Sequence, residues 1–93
     1  MRHLAENDSA LAKAVGARVT ELRLLRGWTQ SFLAERAGMG RPNICRLERG
    51  VHAPSLPVLR DVAHALGFDL SSLLAGVDAR VAEPLDSSIR RTA

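Results

Sequence analysis

Between residues 41 and 50 the chain reads RPNICRLERG, and its side chains separate by chemistry when placed on a helix. At roughly 100° per residue, Ile44 and Leu47 share one face, while Pro42, Cys45, Arg46 and Arg49 gather on the opposite one. Arg41 and Asn43 lie on the two flanks at the amino end. A helix with an apolar back and a cationic front can be braced from behind while its front meets base edges and phosphates in a DNA major groove. Arginine and asparagine suit that task, because their donors and acceptors match the edges of guanine and adenine. Without such a groove the same stripe is simply a solvated charged face.

Other chemistries have weaker support. No serine, histidine and acid set, carboxylate pair or glycine-rich phosphate loop is recognisable, so an enzyme is not expected and no cofactor is implied. His3 and His64 have no partner at metal-ligand spacing and read as surface residues. Cys45 is the single cysteine, which excludes an internal disulfide and a thiolate metal cluster and suits a reducing, cytoplasmic setting. Cys45 reads as an incidental small residue on the outward face rather than a redox switch, although Arg46 stands beside it. His52 follows in a loop and is either a phosphate contact or plainly exposed.

The elements that must position the 41–49 helix follow from periodicity and punctuation. Leu11, Val15, Val19, Leu22 and Leu25 recur at three- and four-residue steps, predicting a first helix capped by Asp8 or Ser9 and ended by Gly27. Gly16 inside it should weaken the helix by roughly 1 kcal/mol relative to alanine, placing its stable part nearer Ala17. Thr29 is a cap for a second helix, with Trp28 packed on Leu33 as a hydrophobic staple and Leu33, Ala34 and Ala37 inward. Phe32 stands where a capping box would have Glu or Gln, and its role is open. Gly38 suits a sharp exit, Gly40 a modest cap, and Pro42 is tolerated in the first turn of the third helix. Gly50 ends that helix. Ser55 caps a fourth helix with Leu59, Val62, Ala63 and Leu66 on one side, stopped by Gly67. Asp69 then caps a short fifth helix carrying Leu70, Leu73 and Leu74, although FDLSSLL also alternates as a brief strand would.

The expected fold is an all-α, compact five-helix bundle, with a flexible arm at 1–8, the folded unit at 9–76 and a polar tail at 77–93. At 93 residues the chain has room for one such domain. Three aromatic residues against abundant Leu, Ala and Val favour close-packed helices. The net charge is +3, and the excess is localised: residues 18–49 hold seven Arg against three Glu. No apolar run approaches the roughly 20 residues that span a bilayer, and the amino end lacks a secretory signal. No membrane is therefore expected among the partners.

From about Arg18 to Leu74 the sequence resembles the lambda repressor and Cro (Xre) type helix-turn-helix family. The resemblance rests on RVTELRLLRGWTQ, on Leu33, Ala34 and Gly38, on Ile44 with LERG at 47–50, on PSLPVL opening the fourth helix, and on ALGFDLSSLL. It implies five helices, the second and third forming the DNA-reading unit, with Gln30 gripping a phosphate oxygen. It also implies an ion pair between Arg23 and Glu48, and the helical wheel agrees by placing Glu48 beside the buried face. Two departures stand out. Gly40 replaces the usual Ser or Thr cap, and Pro42 replaces a polar side chain at a position that often touches bases, so that one contact would be apolar, as to a thymine methyl.

The expected function is that of a sequence-specific regulator of transcription, a repressor, bound to double-stranded DNA as a homodimer. Two copies would meet half-sites about 34 Å apart on a near-palindromic operator. Phe68, Leu70, Leu73 and Leu74, with Val77 or Val81, are candidates for the dimer face. The same residues leave two alternatives: an antitoxin that binds a toxin protein, similar to those accompanying HipA-type kinases and pairing through a strand at 68–74, and a restriction–modification controller.

Overall fold

The computed structural model describes residues 2–77, with side chains from residue 9 onward. Five helices follow one another: α1 (Arg2–Leu25), α2 (Gln30–Ala37), α3 (Arg41–Arg49), α4 (Leu56–Leu66) and α5 (Leu70–Leu74). The described residues contain no strand, and the 68–74 segment that could alternate as one is helical.

Helix starts and stops obey local hydrogen bonding. Thr29 accepts from the N–H of Phe32 at 3.0 Å, Ser55 from Val58 at 3.3 Å and Asp69 from Ser72 at 2.8 Å, each satisfying an amide that the first turn leaves without a partner. Gly40 caps α3 with no side chain, and Pro42 lies in its first turn. At the other ends, Gly38, Gly50 and Gly67 take left-handed conformations.

The core draws on all five helices. Val19 of α1, Leu33 of α2, Ile44 of α3, Val62 and Leu66 of α4 and Leu73 of α5 are completely enclosed. Burying each such side chain is worth about 1.5–3 kcal/mol, so this cluster is what holds α3 at a set angle to the rest. α1 packs on α3, α4 and α5, and α2 packs on α3 and α4.

Three expectations about these elements are corrected. First, α1 does not begin at Asp8 or Ser9 but runs unbroken from Arg2; Leu4, Ala5, Glu6 and Ala10 are good helix formers with no breaker among them. Second, the apolar stripe of α1 is only partly inward. Val15, Val19 and Leu22 are buried, together with Ala12 and Ala14, but Leu25 in the last turn is 78% exposed and Leu11 is 40% exposed. Periodicity identifies a stripe without saying how far along it the neighbouring helices reach. Third, Leu73 is not available to a partner, because it lies wholly inside the core, and Val77 is buried with it. Phe68, Leu70 and Leu74 are half-buried against the same core, whereas Val81 lies outside the described residues.

Gly16 proves to be a contact rather than a flaw. A Cβ there would stand 2.5 Å from the backbone carbonyl oxygens of both Leu47 and Glu48, so the absence of a side chain is what lets the end of α3 rest on α1. Gly50 repeats the arrangement one step further on. Its φ is +71°, and a Cβ would meet the Lys13 backbone at 2.5 Å.

Candidate nucleic-acid interface

α3 is braced as the wheel requires. Ile44 is fully enclosed and Leu47 nearly so, while Arg41, Pro42, Asn43, Arg46 and Arg49 are exposed and Cys45 is half-buried. Among the described residues, Arg41 and Arg49 have no hydrogen-bond or ion-pair partner. Arg46 donates from Nη2 to Asn43 Oδ1 at 2.5 Å, one turn back along the helix.

The brace behind this face is polar as well as apolar. Arg23 Nε donates to Glu48 Oε2 at 2.6 Å and Arg23 Nη2 to Glu48 Oε1 at 3.0 Å, while Nη1 donates to the carbonyl of Trp28 at 2.7 Å. The two side chains are only 11% and 5% exposed. This fork ties α1 to α3 and to the loop entering α2, in the parallel two-bond geometry that guanidinium and carboxylate favour. Gln30, the first residue of α2, adds a bond from Nε2 to Glu48 Oε1 at 3.0 Å. Burial alone would push the Glu48 carboxyl up, but hydrogen bonds from Arg23 and Gln30, the Arg23 charge and a contribution from Thr20 outweigh it and hold the group below its ordinary value.

The seven arginines of residues 18–49 divide by role. Arg18 donates to the carbonyls of Leu73 and Ser72 and pairs with Glu21, Arg26 donates to Leu66 O, and Arg36 donates to Ala65 O. These cations sit at the carboxyl ends of α4 and α5, where unpaired carbonyls and the helix dipole favour positive charge. With Arg23 engaged by Glu48, four of the seven hold the fold together. The basic block is thus not one reading surface, and the cations that bond neither a carboxylate nor another helix reduce to Arg41, Arg46 and Arg49 on α3.

Two features were not expected from the sequence. Phe32, exposed at 43%, stands edge-on to Trp28 with ring centroids 4.8 Å apart, and the Arg36 guanidinium lies 4.9 Å from the Trp28 ring. Phe32 thus completes a small aromatic and cationic cluster at the entry to α2. The four-residue spacing of Trp28, Phe32 and Arg36 is the signal that could have found it. The bond from Gln30 to Glu48 had no such signal, since the two residues are 18 apart in sequence.

A short helix, a turn at Gly38 and a second helix pinned by its apolar back against α1 and α2 make up a helix-turn-helix domain. The helix-turn-helix family model matches residues 19–73, and the chain belongs to that family, in its lambda repressor and Cro (Xre) branch, whose members are DNA-binding regulators rather than enzymes. Among curated relatives, the chain is 40% identical over 60 residues to an immunity repressor protein of Bacillus phage phi105, covering 64% of this chain and 42% of that protein. It is 45% identical over 49 residues to an HTH-type transcriptional regulator of Methanothermobacter thermautotrophicus, covering 53% of this chain and 71% of the relative. A solved structure of the clp gene regulator ClgR from Corynebacterium glutamicum superposes with a TM-score of 0.72 at 32% identity, covering 77% of this chain and 94% of that one. Among the described residues no helix is long and apolar enough to cross a membrane.

Proposed function

We propose that the chain is a sequence-specific regulator of transcription, a repressor, which places the amino end of α3 in the major groove of double-stranded DNA. The observation that carries this reading is the state of α3: its back is locked by Ile44, Leu47 and the Glu48 fork, while Arg41, Pro42, Asn43, Arg46 and Arg49 face solvent. Such a helix meets the groove without rearrangement, so little ordering free energy is lost on binding.

Gln30 is proposed as a phosphate contact. One amide hydrogen is engaged by Glu48, and the amide has a second to donate. Arg41 and Arg49 supply charge to the backbone, Pro42 an apolar contact, and Asn43 and Arg46 the base contacts. One short helix reads about half of a useful operator, so the protein acts as a homodimer on a near-palindromic site. With Leu73 in the core, the proposed dimer surface is Phe68, Leu70 and Leu74, extended by Leu56, which is 65% exposed and lines a surface groove with Pro57, Arg60 and Leu70. The setting is cytoplasmic, on the nucleoid. The antitoxin reading, with its toxin partner, gains no support from α5, which is helical where strand pairing would be needed, and no feature singles out the controller reading.

Selection of bound duplexes from a random pool, followed by binding measured against salt, tests the proposal. A near-palindromic consensus is expected. If six to ten phosphates are neutralised per dimer, affinity should fall by roughly a thousandfold or more between 50 and 200 mM salt. Gln30→Ala should weaken binding to all sequences alike, whereas Arg46→Ala should relax preference at particular base pairs. Failure to enrich any duplex refutes the reading.

A further inference from the structure

The front of α3 is not a row of independent side chains. Asn43, in the first turn, has its Oδ1 occupied by Arg46 Nη2 at 2.5 Å, and both residues are exposed. An asparagine that reads adenine uses both ends of its amide, the carbonyl accepting from N6 and the NH₂ group donating to N7. Here the carbonyl end is turned along the helix toward a cation. Apart from a second Oδ1 lone pair that lies beside the Arg46 cation, what remains for a base is the Asn43 NH₂ group and the other guanidinium N–H groups of Arg46, all of them donors.

Resting on the proposed entry of α3 into the major groove, we infer that Asn43 and Arg46 form a single donor-only reading unit that selects guanine and rejects adenine. Guanine presents two acceptors, O6 and N7, on its major-groove edge, and both are drawn to the guanidinium. Adenine presents one acceptor beside an amino group. Asn43 Oδ1 keeps a second lone pair, but an N6 amino group approaching it would bring its positively polarised hydrogens up to the guanidinium of Arg46. Cytosine needs a protein acceptor. The one carboxylate on α3, Glu48, is turned back to Arg23 and Gln30.

The pairing also sets the reach of the two side chains. Each anchors the other, so fewer rotamers are lost when a base is bound, and the two should report on one base pair or on immediate neighbours. Independent readers one helical turn apart would instead give two separable preferences.

The test uses the full chain. After selection from a random pool, wild type, Asn43→Ala and Arg46→Ala are titrated against the consensus duplex, against its single-base variants, and against duplexes with each consensus guanine replaced by 7-deazaguanine, which lacks the N7 acceptor. Both side chains lie on the surface, and unchanged thermal midpoints verify that the variants fold. The expected result is a guanine in each half-site whose preference relaxes in both variants, at the same or adjacent base pairs. Its 7-deaza replacement should weaken wild type by on the order of tenfold and each variant by clearly less. Adenine at the position relaxed by Asn43→Ala overturns the inference, as do variants that relax well-separated positions; in both cases tight DNA binding persists and the proposed function stands. A pool that yields no bound duplex overturns both.

Discussion

Replacing Gly16 by alanine separates two lines of reasoning, because they differ in sign. Helix propensity alone predicts that Gly16→Ala stabilises α1 by about 1 kcal/mol. The packing predicts the opposite. The added Cβ would lie 2.5 Å from two carbonyl oxygens of α3, where an ordinary contact needs about 3.5 Å or more. Both neighbours are backbone, so no side chain can swing away and the helices must separate locally by several tenths of an ångström. Overpacking of this kind costs about 1–3 kcal/mol, and a backbone-to-backbone clash belongs at the upper end. Set against the propensity gain, the net loss is about 2 kcal/mol, which in a domain of this size lowers the thermal midpoint by about 8–16 °C. Urea and thermal denaturation followed by circular dichroism measure it directly. A variant as stable as wild type, or more so, would refute the claim that α1 and α3 meet backbone to backbone at this residue.

Other outcomes follow from the same contacts. Arg23→Ala or Glu48→Ala alone should cost about 3–5 kcal/mol by stranding a buried charge, measured by urea denaturation. Because the folded-state pKa of Glu48 is lowered from its ordinary 4.5, its contribution is fully present above that value and is lost as pH falls through the lower folded value. The stability gap between wild type and Glu48→Gln should therefore be constant near neutrality and shrink in acid. Arg26→Ala and Arg36→Ala should each lower stability by about 1 kcal/mol, through lost bonds to the end of α4 and lost contact of Arg26 with the Trp28 and Phe68 rings and of Arg36 with the Trp28 ring, while leaving the salt slope of DNA binding unchanged. Leu73→Ala should cost about 2–5 kcal/mol as a core truncation, whereas Leu70→Ala should leave thermal stability nearly intact and, in a sedimentation experiment, shift the protein toward monomer.

Much of the molecule can be read along the chain because the interactions concerned are local. Thr29, Ser55 and Asp69 bond amides three residues away, so caps announce themselves, and the 3.6-residue period finds Ile44 and Leu47 as the back of α3 and the front by subtraction. The ion pair of Arg23 with Glu48 follows from family resemblance together with the wheel. Sorting the arginines required three dimensions. Arg18, Arg26 and Arg36 carry the same charge as Arg41 and Arg49, and only the arrival of the α4 and α5 carboxyl ends beside them makes them structural.

The amino-acid sequence by itself determined that four amphipathic helices form and where they stop, favoured a fifth over a brief strand at 68–74, and gave one helix an arginine front, because period, caps and breakers act over a few residues. The tertiary structure alone decided which apolar side chains are enclosed, placing Leu73 inside and Leu25 outside. It also decided that Gly16 is a seat for α3, and that Asn43 is turned to Arg46. The first two depend on how closely separate helices approach, a distance set by the summed packing of residues far apart in the chain. The third depends on a side-chain rotamer, and no spacing rule specifies which of several reachable partners a polar group takes.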